Sequence, residues 1–239
     1  MRVTRLFRYP VKSLQGERLE EAEVGEFGLA GDRRFGVLDL TTGAILTGRK
    51  EPAVLMAAGR LAADGSGQVQ VVLPDGRVST GDADLSDWLG RPVRLVAAAA
   101  HGPGTYETSV DPEDEDGEWV TWEGPTGAFH DIARTRVSII AEGEMRDWDI
   151  RRFRPNVVVS GETVADLVGR RLALGELELE VPGPIDRCAM VTRAQPGGIE
   201  RDVSVLKTIN RELGRLLGVG ATVTRNGTLR VGDELTVLD

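Results

Sequence analysis

The stretch Ala221–Val231, ATVTRNGTLRV, decides the first reading of the fold. Two short β-branched runs, Ala221–Thr224 and Thr228–Val231, flank Arg225-Asn226-Gly227. Asn-Gly between such runs is the strongest short hairpin signal. Leu235–Leu238 then closes the chain as another strand. The same texture runs backwards through the sequence. Arg171–Leu174 and Glu178–Val181 flank Gly175-Glu176-Leu177, and Val137–Ala141 and Asn156–Ser160 are short apolar runs. In the first half, Arg2–Tyr9, Arg18–Val24 and Pro92–Ala97 read as strands. Arg34–Leu40 and Ala44–Thr47 flank Thr41-Thr42-Gly43, and Gln68–Leu73 and Arg77–Ser79 flank Pro74-Asp75-Gly76; both joins carry turn chemistry. Cys188–Thr192 is read as a further strand.

Helical signals are few. Val203–Leu217 is the best, with Val205, Leu206, Ile209, Leu213, Leu216 and Leu217 on one stripe and Gly218 as its stop. Pro52–Leu61, Asp84–Leu89 and Glu142–Trp148 are shorter candidates. Many short strands with few helices predict a mainly β (α+β) protein, a barrel or a sandwich. The chain divides into an N-terminal β domain over 1–100, an acidic surface loop or linker over 101–128, and a second β domain over 129–239.

The 239 residues carry 29 Lys and Arg against 38 Asp and Glu, a net charge of −9. That field repels phosphate backbones and anionic membrane surfaces, so neither nucleic acid nor membrane is the expected partner. One cysteine, Cys188, excludes an internal disulfide and a secreted disulfide scaffold. The N-terminus lacks the apolar core of a signal peptide, and no 18-residue apolar run occurs, so a cytoplasmic location is expected. No G-x-S-x-G, phosphate-loop or H-E-x-x-H motif is present, and two histidines cannot build a multi-histidine metal site.

Four basic clusters sit at turns or strand ends: YPVKS (9–13), GLAGDRR (28–34), LTGR (46–49) and RRFRPN (151–156). Each alone reads as well as a solvated basic turn. Together, in an acidic chain, they point to a shared site for a small anion. Asp186-Arg187-Cys188 adds a thiol beside a cation, which favours the thiolate, a soft metal ligand. The residues alone leave Cys188 open between that role and a small buried hydrophobe.

As a set, YPVKSL (9–14), GLAGDRRF (28–35), LTGRKEP (46–52), FHD (129–131), RFRPNVVVSG (152–161), DRC (186–188) and NGTLRVGDELTVL (226–238) resemble the MOSC-domain proteins. These carry an N-terminal MOSC β-barrel domain, and the amidoxime-reducing components belong among them. The resemblance implies a MOSC-type β-barrel with an N-terminal barrel-like domain and a few short helices. It implies a molybdenum cofactor whose metal is ligated by Cys188. Lys12, Ser13, Arg33, Arg49, Arg154, Asn156 and Arg187 fall where the cofactor's phosphate and pterin rim are held. Cys188 and Asp131 would be the catalytic residues, with Asp131 or His130 relaying protons. The implied activity is reduction of N-hydroxylated compounds: hydroxylamines, amidoximes and N-hydroxy nucleobases. Electrons would come from a separate donor of ferredoxin or flavoprotein type, since this chain's one cysteine cannot ligate an iron–sulfur cluster. The other implied role is a cofactor or sulfur carrier with a persulfide on Cys188. The family's frequent second cysteine, three residues earlier, is here Ile185.

Overall fold

A computed structural model describes residues 1–62, 64–110 and 117–238. Among these the chain forms β1 (Val3–Arg8), β2 (Glu17–Leu19), β3 (Glu21–Gly25), β4 (Gly28–Leu29), β5 (Phe35–Asp39), β6 (Ala58–Leu61), β7 (Val69–Val72) and β8 (Val93–Ala97). β9 (Thr105–Ser109) and β10 (Trp119–Glu123) come next. Then follow β11 (Val137–Ala141), β12 (Val157–Val159), β13 (Arg171–Leu174), β14 (Leu177–Asp186), β15 (Leu216–Arg225), β16 (Gly227–Arg230) and β17 (Leu235–Leu238). The α-helices are short: α1 (Asp82–Leu89), α2 (Ala98–His101) and α3 (Ser204–Leu213). The protein is mainly β, as the sequence predicts. No helix of the described residues is long and apolar enough to cross a membrane.

The main sheet has the order β17-β13-β14-β15-β11-β12-β1-β2. Its centre is buried at every position of β11 and β12, because both faces are covered. Ile139, Val157 and Val159 face a core that also holds Ala22, Val24 and Leu29 from β3 and β4 and Leu229 from β16. Ile140 and Val158, one residue out of phase, face Val205, Leu206 and Ile209 of α3. The period-2 alternation of a strand thus feeds two cores at once. A separate core forms between the β5–β8 and β6–β7 pairs and α1, around Val11, Val37, Val71, Leu85 and Val93. The two halves of the chain are interleaved: β1 lies between β12 and β2, and β16 pairs with β3.

Several expectations are corrected. The Asn226-Gly227 join is not a hairpin: β15 pairs with β11 and β14, while β16 pairs with β3. A two-residue type I′ turn needs positive φ at both central residues, and neither Asn226 nor Gly227 has it. Gly227 serves close packing instead. A Cβ there would lie 2.6 Å from the Leu177 backbone nitrogen. The best helix stops at Leu213, short of the expected Leu217. Gly214 takes the left-handed C-cap (φ 58) and its N–H bonds back to Ile209 and Asn210. Pro52–Leu61 splits into a 3₁₀ turn (Pro52–Met56) and β6. Glu142–Trp148 shrinks to a 3₁₀ turn, Gly143–Met145, and Cys188–Thr192 is no strand but leads into a 3₁₀ turn, Ala189–Thr192. The stretch 101–128 is not merely a surface loop, since β9 and β10 pair within it and Tyr106 is fully buried. The acid-rich run begins at Asp111, and its residues 111–116 lie outside the described part.

Candidate functional site

The basic segments are drawn together by a chain of backbone contacts. Proline ends β1 at Tyr9-Pro10, and the next residues run beside the segment after β4. Arg33 N–H donates to Tyr9 O (2.7 Å), Phe35 N–H to Pro10 O (3.0 Å) and Lys12 N–H to Phe35 O (2.8 Å). The fully buried Asp32 carboxylate accepts from Tyr9 N–H (2.7 Å) and from the Arg33 guanidinium. Phe129 N–H donates to Arg33 O (2.7 Å), which brings Phe129–Asp131 alongside. Gly48 N–H donates to Ser13 Oγ (3.0 Å), anchoring the Arg49 turn. From the other half, Phe7 N–H donates to Asn156 O (2.8 Å) and Arg187 Nη1 to Phe153 O (3.0 Å). Arg193 Nη2 closes the ring by donating to Arg49 O (2.7 Å).

The result is a cradle of five cations, Lys12, Arg33, Arg49, Arg154 and Arg187, against two carboxylates, Asp32 and Asp131. The half-buried Cys188 thiol lies within electrostatic reach of Arg49, Arg187 and Arg215. Aromatic faces support the cations. Arg154 and Arg33 flank the Tyr9 ring at 4.2 and 5.2 Å, Lys12 sits 4.3 Å over Tyr106, and Arg49 sits 5.0 Å over Trp122. Ser13, Arg33 and Arg154 have φ of 66°, 51° and 51°, the left-handed region that disfavours side chains. Strain of about 1–2 kcal/mol at each is tolerated where the surroundings over-determine it, as at functional sites.

Lys12 Nζ donates to Phe129 O (2.9 Å) and Asp131 Oδ1 (3.1 Å), and Arg49 Nη2 donates to the same Oδ1 (3.0 Å). Burial lowers the Lys12 pKa to about 8 against the pull of Asp131. For Asp131 burial works upwards, but Lys12 and Arg49 outweigh it and hold the carboxyl below the usual carboxylate range. Asp131 is half-exposed and ionised, an acceptor and a poor proton donor. His130 is buried; burial, reinforced by Arg33, lowers its pKa to about 3, and its Nε2 faces Phe27 O at 3.1 Å. The imidazole therefore stays neutral.

Two expected cofactor contacts are used inside the protein. Asn156 Oδ1 accepts from Ser138 N–H (3.1 Å), Ser138 Oγ (2.9 Å) and Arg33 Nη1 (3.3 Å), and its Nδ2 donates to Phe7 O (3.3 Å). Arg187 directs Nε to Leu217 O (2.9 Å) and Nη1 to Phe153 O. It contributes charge to the thiol's surroundings. Arg154 is the opposite case. It is 5% exposed, burial lowers its pKa to about 10, and its Nη1 is buried with no partner. Arg49 Nε and Thr47 Oγ1 are likewise buried and unpartnered. An unpaired buried donor costs about 1–3 kcal/mol, more on a charged group. Three such donors in one cationic cradle beside a thiol fit a ligand with an anionic, polar rim and a thiophilic metal. The sequence reading missed Tyr9, Tyr106, Trp122 and Arg193; of these, Tyr9 was signalled by its place inside YPVKS.

Fold and cradle together define a small, interleaved β protein whose cationic loops converge near one sulfur atom. A family model for the MOSC N-terminal beta barrel domain matches residues 1–121, and one for the MOSC domain matches residues 122–236. The chain belongs to the MOSC-domain proteins. It is 24% identical to mitochondrial amidoxime reducing component 2 of Bos taurus, covering 98% of this chain and 82% of that protein. It is 30% identical over 98 residues to the molybdenum cofactor sulfurase of Drosophila pseudoobscura pseudoobscura, covering 41% of this chain. The chain spans 12% of the length of that sulfurase. Among solved structures, the YUAD protein from Bacillus subtilis aligns with a TM-score of 0.44 at 14% identity, covering 98% and 93% of the two chains.

Proposed function

We propose that this protein binds the molybdenum cofactor and reduces N-hydroxylated compounds, such as hydroxylamines, amidoximes and N-hydroxy nucleobases. A separate donor protein of ferredoxin or flavoprotein type supplies the electrons, and the setting is cytoplasmic. The observation that supports this reading is the buried, unpartnered Arg154 Nη1 in a cationic cradle that also reaches Cys188. Similarity along 98% of the chain to an amidoxime reducing component points the same way.

When bound, the cofactor supplies two-electron chemistry at molybdenum, which removes oxygen from an N–O bond. The chain's residues do the rest. Cys188 offers its sulfur as the protein ligand. Arg154, Arg49, Arg33 and Lys12 hold the anionic rim, with Arg154 Nη1 and Arg49 Nε as the free donors. Reduction of R–NHOH to R–NH2 and water consumes two protons as well as two electrons. Lys12 holds a proton at Nζ on the hydrogen bond to Asp131 Oδ1. Asp131, kept ionised, orients that ammonium and accepts from a substrate N–H.

The test is production in a host that makes the cofactor, assay of molybdenum and pterin, and reduction of benzamidoxime with a chemical electron donor. Molybdenum-loaded protein that turns over benzamidoxime is the expected result. Loaded protein that reduces no N-hydroxylated substrate overturns the enzymatic reading. Metal-free protein carrying a persulfide on Cys188 favours the second reading, a sulfur carrier, which the similarity to a molybdenum cofactor sulfurase supports.

A further inference from the structure

Cys188 opens a segment with little regular structure. The 3₁₀ turn Ala189–Thr192 follows it, then an irregular run to α3 with an isolated bridge between Gln195 and Ile199. Such a strap presents carbonyls that no helix or ladder satisfies. Arg152 takes three of them. Its Nη1 donates to Val191 O (3.2 Å) and Arg193 O (3.1 Å), and its Nη2 to Glu200 O (2.8 Å). Arg151, held by Asp149, takes a fourth at Pro196 O (2.8 Å). Arg152 is 7% exposed, and its charge is answered at longer range by Asp149 and Asp202. The strap is tied to the cradle through Arg193 Nη2 and Arg49 O. Val191 N–H donates to Cys188 O (3.2 Å), so the turn that Arg152 grips is the turn that carries the cysteine.

We propose that Arg152 is a positioning residue: it pins the strap and thereby holds the Cys188 thiol inside the field of the cationic loops. The rigid guanidinium fork suits this work. It reaches separated carbonyls from two nitrogens held in one rigid plane, whereas a lysine ammonium donates from a single nitrogen on a flexible stem. This role rests on Cys188 being the working group of the proposed site. It is testable without the cofactor, so its failure and that of the functional reading are distinguishable.

Cys188 is the only cysteine in the chain, so thiol chemistry on the full-length, metal-free protein reads one atom. The rate of its reaction with the anionic disulfide DTNB, divided by that with neutral dithiodipyridine, reports the local potential at fixed pH. In the wild type the ratio is expected to be high and to fall as salt is added. Arg152→Met should lower it about tenfold, as focused cationic fields raise anion encounter by that order or more. Arg152→Lys, which keeps the charge but loses the fork, should lower it in part. Arg230→Met, at a surface pair with Glu21, should leave it unchanged. Circular dichroism establishes that each variant is folded. A folded Arg152→Met with the wild-type ratio overturns the proposal, whatever its molybdenum content. Where Arg152→Met does not fold, an unchanged ratio in Arg152→Lys overturns it equally. A lowered ratio in protein that never binds molybdenum supports the positioning role and removes the functional reading alone.

Discussion

Arg152 and Arg154 stand two residues apart in one segment, and both are more than nine-tenths buried. Arg152 directs its donors to three backbone carbonyls, whereas Arg154 keeps Nη1 without a partner. In the sequence they are equivalent members of one basic cluster. The difference teaches that the destination of each donor, not burial or charge, separates a guanidinium that holds the fold from one that awaits a ligand.

The sharpest test of that distinction places the thiol between them. Cys188→Ala should abolish molybdenum retention while changing stability by no more than about 1 kcal/mol, because the side chain is only half-buried. Metal content and a denaturant titration check this. Arg154→Met should weaken cofactor retention by about 10–100-fold, the worth of charged hydrogen bonds. Its stability should hold or rise, since a buried cation with an unpaired donor is replaced by apolar volume. Arg152→Met should do the reverse to the fold. Three carbonyls lose their donor, and about 2–4 kcal/mol of stability goes with them. A thermal melt is expected to drop by about 5–10 °C. Equal stability losses in the two variants would erase the contrast.

Lys12 gives the smallest effect, and its two slopes are opposite. Burial lowers its pKa from 10.5 to about 8 in the folded protein. Between those values the unfolded chain binds more protons, so Lys12's contribution to stability rises with pH. Over the same window the folded protein loses a cation from the cradle, so anion affinity falls. Denaturant titrations and phosphate binding at pH 7 and 9.5 should diverge in the wild type. In Lys12→Met both pH dependences should flatten.

Much of the fold was readable. Val137–Ala141 and the run around Val157–Val159 announce buried strands because they are short apolar runs with Ser138 as their one polar residue. Pairing was not readable. Asn226-Gly227 has the composition of a tight hairpin, but its backbone never enters the left-handed region, and the following strand goes to β3. The β9–β10 hairpin was hidden because its residues are mostly polar, and the aromatic side that buries Tyr106 is sparse. The structure brings together Lys12, Arg33, Arg49 and Arg154, cations that the sequence places in separate basic clusters. Asn156 and Arg187 were expected to face the cofactor, yet their hydrogen-bonding groups serve main-chain and neighbouring side-chain partners brought there by distant parts of the chain. That information lies in three dimensions only.

The interleaving of β1 between β12 and β2 carries a consequence for how the molecule is made. Val3 pairs with Val159, so β1 meets β2 on one side early in synthesis but waits for most of the polypeptide before β12 exists to cover its other side. Until then its open edge is available to strangers, and closure of so long a loop is slow. Severing the chain between the two family matches would strand β1 and β2 on one fragment and leave the other with an exposed flank at β12. Such pieces are expected to aggregate apart and to recover a native sheet only when they refold in each other's presence.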